Sequence, residues 1–143
     1  MHKLFRNFLL LLLLGFPAHA EDASYRYYID IADVTLDDLS SLFADLTTDL
    51  GDLTPDPLVI VLHDEEAAAF LRSNYRDNKT LVDSAALLDA HGVIDLKMCA
   101  TWMRNHAVTQ SDVHRFIDTV PYGPAEVRRL RDASFTAFSK IKL

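Results

Sequence analysis

The chain has 143 residues, half of them apolar, with fourteen basic against twenty-one acidic side chains and a formal charge of −7. Nucleic acid and anionic membrane both need a basic footprint, so this composition excludes them as partners. The single cysteine excludes an internal disulfide, which leaves a thiol that is buried and inert, bridged to another chain, bound to metal or used chemically.

Residues 1–20 read as a signal peptide. Lys3 and Arg6 precede the apolar run Phe8–Leu14, Gly15-Phe16-Pro17 breaks it, and Ala18-His19-Ala20 supplies the small residues of a cleavage site. The run falls short of the roughly 20 apolar residues that cross a bilayer. Cleavage after Ala20 is expected, giving a periplasmic or secreted protein with no membrane attachment. Residues 21–143 then form the mature chain, 123 residues with a formal charge of −9, a length that suits one domain with a proper core.

Tyr25–Ala32 alternates Tyr27, Ile29 and Ile31 against Tyr28 and Asp30, the pattern of a first strand. Thr35, followed three residues later by Asp38, predicts a capped helix with Leu36, Leu39, Leu42, Phe43, Leu46 and Leu50 at helical spacing, closed by Gly51. Pro55-Asp56-Pro57 forces an extended entry into Leu58–Leu62, an unbroken apolar run of the kind buried on both faces of a parallel sheet. Asp64, Glu65 and Glu66 suit a helix N-terminus, and that helix is expected to run through Ala67–Leu71 to about Asn74.

Thr80 predicts the cap of a third helix, which His91-Gly92 ends. Val93–Cys99 reads as strand three and Ala100–His106 as a short helix. Ser111 and Asp112 open a turn, and Phe116–Val120 reads as a weaker fourth strand. From Ala125 to Phe138 the apolar stripe Val127, Leu130, Ala133, Ala137, Phe138 predicts one amphipathic helix. Strand and helix alternate throughout, which gives an α/β three-layer sandwich with a mostly parallel sheet.

Three glycines in the mature chain, Gly51, Gly92 and Gly123, build neither a phosphate loop nor a dinucleotide turn. A Gly-x-Ser-x-Gly nucleophile elbow is also missing from the sequence. Dipole complementarity explains the acid pairs Asp37/Asp38 and Glu65/Glu66 without chemistry. Cys99 stands apart, because a strand end that also starts a helix meets the positive end of the macrodipole, which favours thiolate. His63, at the end of strand two, and Arg104 are the supporting candidates. As an open alternative, Cys99, Met103 and His106 fall at i, i+4 and i+7, and thiolate with thioether suits copper(I). A third reading is a binding or structural module in which Cys99 is simply buried.

Tyr27–Asp33, Val59-Ile60-Val61-Leu62-His63-Asp64, His91-Gly92-Val93, Leu96-Lys97-Met98-Cys99-Ala100, Arg104-Asn105-His106-Ala107-Val108 and the stretch from Val120 through Pro121-Tyr122-Gly123-Pro124 to Val127 together resemble the DsrE/DsrF-like family of small sulfur-relay proteins. The resemblance implies a flavodoxin-like three-layer sandwich, assembly into homo-oligomers such as trimers or hexamers, and a cysteine, here Cys99, that carries a persulfide between a sulfur-donor and an acceptor protein. No cofactor and no resident metal are expected, and at most sulfurtransferase-like activity. Members that work in sulfur relay are generally cytoplasmic, whereas this chain carries an export signal.

Overall fold

The computed structural model describes residues 26–48 and 56–138. The expected signal segment and the expected helix end at Leu50 and Gly51 lie outside the described residues. Within them, β1 (Tyr27–Asp30), β2 (Leu58–Leu62), β3 (Ile94–Cys99), β4 (Asp118–Val120) and β5 (Thr136–Ala137) form one sheet in the order β4-β3-β2-β1-β5. Every neighbouring pair is parallel. The helices are α1 (Leu36–Thr48), α2 (Lys79–Ala90), α3 (Ala100–Asn105) and α4 (Gly123–Asp132).

Local chemistry sets these elements. All five residues of β2 are buried, as a central parallel strand requires. β3 alternates: Ile94, Leu96 and Met98 enter the large apolar cluster, while Asp95 and Lys97 lie half-buried on the other face. α1 starts on a reciprocal cap, in which the Asp38 amide donates to Thr35 Oγ1 at 3.1 Å and the Thr35 amide donates to Asp38 Oδ2 at 3.3 Å. It buries Leu39, Leu42 and Phe43.

Topology fixes the layers. From β1 to β4 the chain steps across the sheet in one direction, so crossovers of one hand place α1 and α2 on one face. The return from β4 to β5 reverses direction and puts α4 on the opposite face. The two apolar clusters match this: Leu39, Phe43, Leu81 and Leu88 pack on one side, Val127 and Leu130 of α4 with Tyr28, Val59 and Val61 on the other. This is an α/β three-layer fold with an entirely parallel sheet. Its strand order differs from the 2-1-3-4-5 order of flavodoxin itself.

Several expected elements are redrawn. Glu65–Phe70 and Arg72–Asn74 are 3₁₀ turns and not an α-helix, because Leu71 between them is extended and pairs with Val113 in an antiparallel bridge. α2 begins at Lys79 behind Asn78, so its cap stands two residues ahead of the expected Thr80. β4 starts only at Asp118, since a turn in which the Ile117 amide donates to the His114 carbonyl holds the preceding residues. The largest change is the tail, where α4 stops at Asp132 and the chain turns through Ser134 at φ 66° to add Thr136–Ala137 beside β1. Phe138 therefore leaves the Val127 and Leu130 stripe and packs with the α1 and α2 cluster, edge-on to Tyr27 at 5.9 Å.

Candidate functional site

Cys99 closes β3 and at the same time caps α3. Its Sγ takes the acceptor role that a hydroxyl or carboxylate oxygen usually plays at an N-cap: the Trp102 amide, three residues on, donates to it at 3.4 Å. A second amide comes from a distant part of the chain, because Gly123 at the start of α4 donates its N–H to the same sulfur at 3.2 Å. Two backbone donors from two helices thus converge on one thiol. The residue is 2 % exposed, so the sulfur is covered by the groups that bind it.

His63 follows β2 directly and meets the site through Gly123. A Cβ built on Gly123 would stand 2.5 Å from His63 Cβ and 2.8 Å from its Cγ, so the α4 N-terminus lies directly against the histidine. The far end of the ring is fixed by Asp30, the last residue of β1, with Nε2 2.6 Å from Oδ1. An ionised carboxylate only accepts, so Nε2 donates. Asp30 is itself held, since Oδ1 also accepts the Ala32 amide at 3.1 Å where Asp30 caps the turn Ile31–Asp33. Asp30, His63 and Cys99 stand at the carboxyl ends of three adjacent parallel strands, the edge at which open α/β sheets carry their ligands.

The other sequence candidates fall elsewhere. Arg104 is exposed and donates from Nη2 to Thr101 Oγ1 at 2.9 Å, and that hydroxyl donates to the Pro121 carbonyl at 3.0 Å. The arginine thus braces the loop before Gly123, with its guanidinium given to a hydroxyl. α3 ends at Asn105, before the two helical turns that the copper arrangement requires. The His106 ring stacks on Trp102 at 4.2 Å and donates from Nδ1 to the Trp102 carbonyl at 2.8 Å. Among the described residues, no group of three or more His, Cys, Asp or Glu side chains is arranged to hold a metal ion.

Further down the same face of β3, Lys97 is bound to Asp95 at 2.9 Å and to Asp118 at 3.0 Å. Burial alone would lower its pKa, but the two carboxylates outweigh it and hold the ammonium above its ordinary value. Its charge is committed to that pair. Asp30 and Gly123 are the two site residues that sequence reasoning missed. Their one signal was position: an acid at the end of a strand pattern, and a glycine set between an aromatic and a proline.

Fold and site together define an α/β protein with an amide-held thiol at the carboxyl edge of a parallel sheet. Neither a protein-family model nor a curated protein matches the chain. Among solved structures it is similar to the Protein of Unknown Function MTH1491 from Methanobacterium thermoautotrophicum, with a TM-score of 0.61 and 16 % identity over 80 % of this chain and 97 % of that one. At that identity the likeness is one of fold.

Proposed function

We propose that the protein carries sulfane sulfur as a persulfide on Cys99, in the manner of the DsrE/DsrF-like family that its sequence resembles. The observation that carries this reading is the pair of amides on Sγ, from Gly123 at 3.2 Å and Trp102 at 3.4 Å. A thiol that only fills space needs no polar partners, whereas a sulfur anion in a covered site needs donors aimed at it. The step is a transfer of neutral sulfur. A donor persulfide anion, R–S–S⁻, gives its terminal sulfur to Cys99, the donor S–S bond breaks as the Cys99 S–S bond forms, and the thiol proton leaves on R–SH. Cys99–S–S⁻ remains, with no net oxidation, and an acceptor thiol removes the sulfur by the same exchange. On this reading the donor and acceptor are protein partners, the assembly is a homo-oligomer such as a trimer or hexamer, and the residue 1–20 signal directs the protein to the periplasm or outside the cell.

A second reading has a specific observation in its favour. Cys99 is 2 % exposed, as a structural thiol in a binding module would be. Incubation of the native protein with a small persulfide, followed by intact mass measurement, separates the two. Carriage predicts one added sulfur on the wild type, removed by a reducing thiol, and none on Cys99→Ser, because serine cannot hold a persulfide. An unchanged wild-type mass leaves the structural reading.

A further inference from the structure

Asp30 and His63 have no part in the sulfur exchange just described, yet they end at the atom pair on which Cys99 depends. The chain of contacts is continuous. Asp30 Oδ1 holds His63 Nε2 at 2.6 Å, the His63 ring and Cβ lie against Gly123 with no space for a methyl group, and the Gly123 amide reaches Sγ at 3.2 Å. Asp30 is the last residue of β1 and also accepts the Ala32 amide, so the pair rests on the end of a sheet strand. The covering segment differs in character, since Tyr122, immediately before Gly123, is 47 % exposed.

We propose that Asp30 and His63 form a positioning pair that holds the start of α4 on the Cys99 sulfur and so sets how often that sulfur is uncovered. The geometry separates the two donors on Sγ. Gly123 belongs to α4 and is backed by His63, while Trp102 belongs to α3, the helix that Cys99 itself caps. Loosening the pair releases one donor and leaves the other. A hydrogen bond with a charged partner is strong enough that its loss changes a local opening equilibrium by about tenfold or more. The functional meaning rests on the reading of Cys99 as a working thiol; the mechanical claim does not.

Amide hydrogen exchange by NMR on the full chain, read at Gly123 and Trp102 in the wild type, His63→Ala and Asp30→Asn, tests it. Asp30→Asn keeps the imidazole and removes only the carboxylate charge, so it serves where loss of the ring impairs folding. The expected result is faster exchange at Gly123 in both variants, by about tenfold in His63→Ala and by less in Asp30→Asn, whose side-chain oxygen still accepts from Nε2, with Trp102 unchanged and alkylation of native Cys99 faster in step with Gly123. Equal acceleration at both amides, or none at Gly123, overturns the proposal, because a general loss of stability would move the two together. Persulfide loading of the wild type is read separately. Selective release of Gly123 without loading leaves the positioning pair standing and removes the carrier, and loading without selective release does the reverse.

Discussion

His114 shows how far a single ring can carry a pH dependence. It lies between Tyr75 and Phe116, each 5.7 Å away by ring centroids, and its Nε2 is buried with no hydrogen-bond partner. Burial, and then the neighbouring Arg72, hold its pKa below the ordinary 6.5, against a smaller opposite pull from Asp83. Below about pH 6.5 the unfolded chain therefore binds a proton that the folded protein refuses. The unfolded state carries more protons in that window, so the stability due to this position is present above it and lost as pH falls. His114→Phe keeps the ring stack and removes the titration. Urea unfolding at about pH 7.5 and pH 5 should show a smaller stability difference in the variant than in the wild type; an undiminished difference would assign the effect to another group. At the candidate site, Cys99 was legible because strand end and helix start coincide at one residue of the sequence. Asp30 and Gly123 were not, because the carboxylate meets the imidazole across β1 and β2, and the glycine arrives from the far side of β4. Neither relation has a sequence spacing.

A helix end explains the largest difference between expectation and structure at the level of elements. α2, α3 and α4 each end in the same hydrogen-bonding motif. The amide two residues past the cap returns to the carbonyl of the helix's third-last residue: Val93 to Leu88 at 2.9 Å, Val108 to Met103 at 2.8 Å, and Phe135 to Leu130 at 3.0 Å. The residue just past each cap is left-handed, at φ 70° for Gly92, 54° for Ala107 and 66° for Ser134. Glycine announces such an end in a sequence; alanine and serine do not. The end of α2 is therefore readable at His91-Gly92, while nothing in the sequence at Ser134 stops the last helix, whose apolar stripe is real at Val127 and Leu130 and ends there. An L-residue in the left-handed region costs roughly 1–2 kcal/mol, and glycine returns about 0.5–1 kcal/mol of that through its freer unfolded chain. Ser134→Gly should thus raise the urea midpoint by a net stabilisation of about 0.5–1 kcal/mol. A loss would mean that the serine side chain contributes more at this turn than its backbone strain removes.

At the scale of the molecule, the layered α/β architecture was legible because β2 and β3 carry strong strand patterns and α1 and α2 strong helical ones. The strand order was not. Its closing member, β5, is two residues long and exists through pairing with a strand at the other end of the chain, with the Thr136 amide donating to the Arg26 carbonyl at 2.8 Å and the Phe138 amide to Tyr28 at 2.7 Å. That reversal sends α4 back across the sheet, and it is what delivers Gly123 to the thiol. The site is thus a product of topology: three strand ends supply the side chains, and one returning helix covers them. A covered thiol that works must be uncovered by a local movement of that helix start, whereas a thiol that only packs is reached by unfolding the whole. The rate at which a thiol reagent labels native Cys99, followed across urea concentrations below the unfolding transition, separates these most directly. A working thiol predicts a rate that hardly changes with urea, because little surface is exposed by local opening; a rate that climbs with the full slope of global unfolding would contradict it.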